Sequence, residues 1–210
     1  MTDIRIILAA SPVMPVIVLD CVEDAVPLAH ALVSGGIRVL EVTMRTAVAL
    51  DCVRAIRAAV PDAIVGVGTI TNIADLDAAR AAGAMFGVSP GTTSALLSHA
   101  VKSGFPFLPG TMTPSDVMRA LDAGFTAMKL FPARQAGGIE MLKALGGPFP
   151  QAMFCPTGGI DAESAAAFLA LPNVACVGGS WLSPASLIAS KNWSEIQKRA
   201  EAASRLKSTN

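Results

Sequence analysis

The chain has 210 residues, with sixteen Lys and Arg against sixteen Asp and Glu and a formal charge of zero. With 52% apolar residues and a mean hydropathy of +0.55, it can bury a large core and fits a single domain, 1–210, better than two. The charges are scattered, which argues against an extended nucleic-acid or polyanion surface, and no apolar run approaches the length of a membrane span.

At the N-terminus, Thr2-Asp3 reads as the start of a short capping helix. The apolar stretch that follows is not taken for a secretory leader, because Asp3 and Arg5 make a poor n-region. From Val13 onward, runs rich in β-branched and apolar residues alternate with alanine-rich stretches. The predicted strands are 13–19, 39–43, 64–69, 85–89, 107–110, 127–130, 153–156 and 174–178, eight in all. Between them, segments such as 22–34, 47–60, 72–82 and 94–103 place apolar residues at helical spacing and leave Arg54, Arg57, Asp75 and Arg80 for an outer face.

Helix-ending signals at Gly35-Gly36, Pro61, Gly83, Gly104, Gly124, Gly146-Gly147 and Pro172 each fall shortly before a strand. They recur about every 20–26 residues, a period that also suits a solenoid, but the fixed leucine and asparagine positions of a leucine-rich repeat are absent. Eight strand–helix units predict a parallel sheet closed into a (β/α)8 TIM barrel with lean loops and a short N-terminal helix.

Four cysteines (Cys21, Cys52, Cys155, Cys176) without C-x-x-C spacing, and only two histidines, do not assemble a familiar zinc site. Reduced thiols in a cytoplasmic protein are expected, although Cys155 and Cys176 lie on successive predicted strands, which leaves their pairing open. His30 and His99 fall on predicted helices, away from the strand ends.

In such a barrel the C-terminal ends of the strands form the active face. Lys129 stands in the middle of the sixth predicted strand, within Thr126-Ala127-Met128-Lys129-Leu130-Phe131-Pro132-Ala133. A buried lysine must find a partner or release its proton, and the released amine can attack a carbonyl to form an imine. The alternative is a strand-end lysine whose stem carries its charge to solvent. On the second strand, Glu41 and Thr43 share one face, and an inward glutamate is costly unless it is paired or used. Glu41 and Lys129 can therefore meet; equally, Glu41 and Arg45 can form an ion pair at the barrel mouth, with Thr69 a simple strand-end hydroxyl. Thr157-Gly158-Gly159 and Gly178-Gly179-Ser180 follow the last two strands, where backbone amides of many barrels hold a phosphate. Tight turns alone would also explain these glycines.

Seven stretches taken together, in order, closely resemble the 2-keto-3-deoxy-6-phosphogluconate (KDPG) aldolase family, which includes enzymes acting on 4-hydroxy-2-oxoglutarate. They are Pro12-Val13-Met14-Pro15-Val16, Leu40-Glu41-Val42-Thr43-Met44-Arg45-Thr46, Gly66-Val67-Gly68-Thr69, Val88-Ser89-Pro90-Gly91, Lys129-Leu130-Phe131-Pro132-Ala133, Phe154-Cys155-Pro156-Thr157-Gly158-Gly159-Ile160 and Val177-Gly178-Gly179-Ser180-Trp181. The resemblance implies a class I aldolase that cleaves the phosphorylated acid to pyruvate and glyceraldehyde 3-phosphate without metal or cofactor. Lys129 would be the Schiff-base lysine and Glu41 the general acid and base. Arg45 and Thr69 would grip the substrate carboxylate, Pro90 and Phe131 would wall the pyruvate pocket, and Gly158, Gly159, Gly179 and Ser180 would hold the phosphate with Thr157 nearby. A homotrimer is implied as well. Two positions depart from the family pattern: Arg134 stands where an acidic residue is common, and Thr71 replaces an apolar residue. The competing expectations are an aldolase for 4-hydroxy-2-oxoglutarate or a phosphogalactonate-type acid, a phosphate-handling isomerase or synthase in which Lys129 acts as an electrostatic clamp without an imine, and a binding protein that has lost turnover.

Overall fold

Period-two alternation along the short apolar runs and period-3.6 patterning between them produce alternating strands and helices in the computed structural model, which describes residues 3–206. The strands are β1 (Val13–Ile17), β2 (Val39–Thr43), β3 (Ile64–Gly68), β4 (Phe86–Val88), β5 (Phe107–Leu108), β6 (Gly110–Thr111), β7 (Ala127–Leu130), β8 (Met153–Pro156) and β9 (Val177–Gly179). The helices are α1 (Ile4–Ala9), α2 (Ala25–Ser34), α3 (Ala49–Ala59), α4 (Ile73–Ala81), α5 (Ser94–Ser103), α6 (Pro114–Asp122), α7 (Gly138–Gly146), α8 (Ala165–Leu169), α9 (Ala185–Ala189) and α10 (Trp193–Ser204). Asp3 caps α1 by accepting a hydrogen bond from the Arg5 N–H; Thr2, predicted to share that role, lies outside the described residues.

All strand pairs are parallel. Six strands run in the order β5-β4-β3-β2-β1-β9 and three in the order β6-β7-β8. The predicted fifth strand is split at Pro109, which has no N–H to give to a ladder. Its two halves, β5 and β6, pair with β4 and β7 respectively. Single bridges from Phe154 to Val174 and from Thr157 to Gly178 join β8 to the segment carrying β9. The ring thereby closes into the expected (β/α)8-type barrel. The last strand begins at Val177, later than the predicted 174, and Val174 contributes only its bridge.

Alternation sorts each strand into two environments. Met14, Val39, Phe86, Val88, Leu108, Ala127, Cys155 and Cys176 form one buried cluster inside the ring, together with Ile7 and Leu8 of α1. The N-terminal helix thus plugs the barrel floor. Leu40, Val42, Val65, Val67, Met128, Leu130 and Phe154 face the other way, into the layer shared with helix residues such as Leu28, Leu32, Val53, Ile56, Leu76 and Val117. Glu41 and Thr43 continue the inward face of Val39, and Lys129 that of Ala127, so strand parity carries these polar groups into the barrel toward its open end.

The helix signals hold for local reasons. Thr113 and Asp116 form a reciprocal capping box at α6. Asn72 caps α4 by accepting from the Asp75 N–H, and Thr71 adds two bonds of 2.8 Å, from its N–H and its hydroxyl, to the Asp75 carboxylate. The hydroxyl at position 71 therefore fixes the entry to α4. All four cysteines are free, with Cys21 exposed and the other three buried.

Candidate active site

Lys129 sits on β7 with Gly110 and Cys155 as its cross-strand neighbours, and only 4% of the residue is exposed. Its ammonium crosses the barrel interior to β2, where it donates to Glu41 Oε1 at 3.1 Å and lies 3.5 Å from Oε2. The Phe131 ring lies under the same nitrogen, with its centroid 5.3 Å away, a further attraction for a cation. Lys129 does not carry its charge out to solvent. It has found a fully buried carboxylate, and Glu41 pairs with Lys129 rather than with Arg45.

Room for that carboxylate comes from β3. Gly68 pairs with Thr43 across the ladder, and a Cβ at Gly68 would collide with Oε1 of Glu41 and approach its Cγ and Cδ to 2.7 Å. Any larger residue at position 68 would displace Glu41. Gly66, two residues earlier on the same face, clears space for the Phe86 ring in the same way. Below the pair lie two thiols: burial, a hydrogen bond with Cys155 and the charge of Glu41 all push the Cys176 thiol well above its usual range, the Cys155 bond contributing most. Cys176 is therefore a neutral packing group rather than a thiolate.

Just beyond β2 and β3, the Arg45 Nε approaches the Thr69 hydroxyl at 3.4 Å. Thr69 has φ of +64°, a left-handed conformation that is strained for a β-branched residue. The Ile70 N–H, bonded to the Val88 carbonyl at 3.1 Å, anchors the turn on its far side. The strain turns the hydroxyl toward Arg45.

At the opposite side, β8 ends in Thr157-Gly158-Gly159, with φ of +103° at Gly158 and +76° at Gly159. Only glycine adopts two such angles in succession cheaply. The turn is tied to the loop after β7 by bonds from the Ala133 N–H to the Thr157 carbonyl (2.8 Å) and from the Arg134 N–H to the Gly158 carbonyl (3.1 Å). On the last strand, Gly178 makes way for the Thr157 side chain, and Gly179 for the Trp181 ring. Trp181 therefore packs over the end of β9.

These parts enclose a cleft of about 440 Å³. Lys129, Arg45, Phe131, Thr157, Gly158, Gly159, Gly179 and Ser180 all line it. Glu41 lies beneath, reached through Lys129, and Thr69 touches it through Arg45. Pro90 lies in the loop after β4 with its carbonyl against Gly110 and is not part of this lining. Val16, Val18, Ile160, Ser183, Pro184 and Ala185 complete the wall and were not singled out from sequence. The Ser183 hydroxyl is buried and has no hydrogen-bond partner among the described residues. Among the described residues, no cluster of His, Cys, Asp or Glu could hold a metal ion. The histidines stand apart from the cleft: His30 is exposed on α2, and His99 on α5 meets Asp77 at 2.9 Å.

The cleft has two chemically different ends. One offers an amine, a carboxylate and a guanidinium, which suits nucleophilic addition to a keto acid with proton transfer close by. The other offers glycine turns and a serine, with no cation in its lining.

Residues 4–199 match the family described as "Aldolase: KDPG and KHG aldolase". The chain is 50% identical over 197 residues to a 2-dehydro-3-deoxy-phosphogluconate aldolase of Pseudoalteromonas atlantica, covering 94% of this chain and 92% of that one. It is 48% identical over 202 residues to the KHG/KDPG aldolase of Escherichia coli, covering 96% and 95%. Among solved structures, KDPG aldolase from Legionella pneumophila, with pyruvate captured as a covalent carbinolamine, superposes with a TM-score of 0.95 at 48% identity, covering 97% of this chain and 98% of the other.

Proposed function

Since the chain belongs to the KDPG and KHG aldolase family and is a lyase, we propose that Lys129 is the amine through which it cleaves 2-dehydro-3-deoxy-6-phosphogluconate to pyruvate and glyceraldehyde 3-phosphate. The observation that carries this reading is the 3.1 Å contact between Lys129 and Glu41 inside the barrel, at the base of the cleft.

The proton on Lys129 passes to Glu41, and the free amine adds to the C2 carbonyl to give a carbinolamine. Glu41 gives that proton to the carbinolamine hydroxyl, which leaves as water, so that an iminium forms and Glu41 is again a carboxylate. Arg45, steadied by Thr69, holds the substrate carboxylate in a two-pronged grip. Glu41, directly or through one water, takes the C4 hydroxyl proton. The C3–C4 electron pair flows to the iminium nitrogen, releasing the aldehyde and leaving an enamine. Protonation at C3 and hydrolysis return pyruvate and the amine. Phe131 walls the pyruvate end. Pro90 is kept as a wall residue on the strength of the family resemblance, its place in the loop after β4 being compatible with that role. At the distal end, the N–H groups of Gly158, Gly159 and Gly179 and the Ser180 hydroxyl hold the phosphate, with Thr157 bracing the turn. The electron sink is the imine itself, so no metal or cofactor is required.

The Escherichia coli relative, named for both substrates, supports 4-hydroxy-2-oxoglutarate as a second substrate. A homotrimer is inferred from the resemblance to the family, and Val101 and Met118, 54% and 55% exposed on α5 and α6, leave apolar surface for a neighbouring copy to cover. No helix among the described residues is long and apolar enough to cross a membrane; residence in the cytoplasm is proposed with the free thiols as support. The test is pyruvate release from the phosphorylated acid, from its C4 epimer and from 4-hydroxy-2-oxoglutarate, compared as kcat/KM. The phosphorylated acid should lead; turnover of none of the three would refute the proposal.

A further inference from the structure

The distal end of the cleft has a shortage of charge. A phosphate monoester carries close to two negative charges at neutral pH, yet both cations in the lining, Lys129 and Arg45, stand at the keto-acid end. Neutral N–H groups and one serine hydroxyl remain to receive a dianion.

Arg134 is placed to make up that shortage. Its N–H is fixed to the Gly158 carbonyl at 3.1 Å, which holds the start of the side chain at the turn. Its stem then runs directly over Gly159: a Cβ built there would come within 2.6 Å of Arg134 Cβ and 2.9 Å of its Cδ. The glycine is thus needed twice, for its left-handed angle and for the passage of the arginine above it. Beyond the stem, the guanidinium is exposed and forms no ion pair among the described residues. Its field nevertheless reaches this loop. The Asp161 carboxyl is held below the ordinary carboxylate range, mainly by the hydroxyl and N–H of Ser164, with a smaller share from the Arg134 charge. Asp161 is the acidic residue next to the turn, and the Arg134 charge partly offsets its own.

We propose that Arg134, lying across Gly159 at the rim of the turn, is a specificity-determining residue that favours substrates with an anionic distal group over the same acid without one. It acts by attraction at the rim and by offsetting Asp161, not by contact with the reacting carbons. The proposal rests on the phosphate occupying the glycine turns as inferred above.

The experiment compares R134Q, R134E and R134K, with S180A as a control for the site itself. Substrates are the phosphorylated acid and its unphosphorylated counterpart, at low and at high salt. For the phosphorylated acid, R134Q should raise KM about three- to tenfold at low ionic strength with kcat unchanged, as expected for one partly screened charge. R134E should raise it further, and R134K should restore it. High salt should shrink the difference, since the screening length at 1 M is about 3 Å. The unphosphorylated acid should show the same KM in all of these variants. A R134Q effect equal for both substrates, or no effect while S180A still weakens the phosphorylated one, overturns the role of Arg134. If S180A also leaves the phosphorylated acid untouched, the phosphate is bound elsewhere and the underlying placement fails with it.

Discussion

Removing the Lys129 ammonium while leaving Glu41 in place should unfold the protein more readily than any loss of apolar contact at that position would explain. In Lys129→Met the stem is replaced by a side chain of similar length, so packing changes little. Glu41, with no exposed surface, keeps its carboxylate and loses the cation 3.1 Å away. Stranding one member of a buried pair costs about 3–5 kcal/mol. At about 2–4 °C per kcal/mol for a domain of this size, the melting temperature should fall by about 6–20 °C. Lys129→Met combined with Glu41→Gln removes the stranded charge and should recover most of the loss, although neither protein should turn over substrate. Thermal melts of the wild type, both single variants and the double variant give the coupling energy between the two sites. A lysine variant that melts with the wild type, or a double variant no more stable than Lys129→Met alone, would show that no charge is stranded at Glu41.

Gly68→Ala should lower kcat at least about tenfold, because the new methyl displaces the general base, and cost about 1–3 kcal/mol of stability from overpacking. Gly66→Ala, which meets the Phe86 ring instead, should lose stability with a smaller effect on kcat; steady-state kinetics and urea melts of the two variants separate these cases. A thiol reagent at pH 8 should modify one cysteine quickly, the exposed Cys21, and all four in denaturant. Burial pushes the Cys52 thiol up to about 11, so a Cys21→Ser variant that still reacts quickly would contradict the structure. At Asp116, burial raises the carboxyl's affinity for a proton, but bonds from the Thr113 N–H and hydroxyl, the Met112 N–H and Arg119 outweigh it and hold the group below its ordinary value. A depressed folded value means that the stabilisation is complete above the unfolded pKa of about 3.9 and is lost as pH falls through the folded one. Asp116→Asn should therefore cost about 0.5–1 kcal/mol at pH 7, after allowance for solvent screening, and progressively less as the pH falls below the unfolded value, as measured by urea unfolding across pH.

The barrel was legible because its signals are local. Apolar alternation marks strands wherever it occurs, and helix-ending glycines such as Gly36, Gly83, Gly104 and Gly124 do take positive φ. Strand parity allowed Glu41 to meet Lys129 across the closed ring but left an ion pair with Arg45 equally open, and only the family resemblance favoured the first. Pro109 was visible as a proline, but its consequence was not: whether one missing N–H ends a strand depends on which neighbour would have received it. The same limit applies to Gly68, a glycine inside the third predicted strand whose purpose shows only once the carboxylate above it is located. Ser183 and Val18 lie on loops, and loop residues reach the cleft through tertiary placement that no periodicity records. The state of Cys155 and Cys176 was equally hidden, because adjacent strands bring thiols together whether or not they are oxidised. Arg134 was conspicuous as a departure from the family pattern, but its path over Gly159 emerged only with the backbone angles of that turn.

Covalent bonding of one buried amine to the keto carbon is read out by incubating the protein with pyruvate and borohydride, followed by peptide mass spectrometry. The account predicts a single reduced pyruvate adduct on the peptide bearing Lys129, with activity lost in proportion to labelling. Fully active protein in which Lys129 stays unmodified, or an adduct confined to exposed lysines such as Lys143 or Lys191, would contradict it.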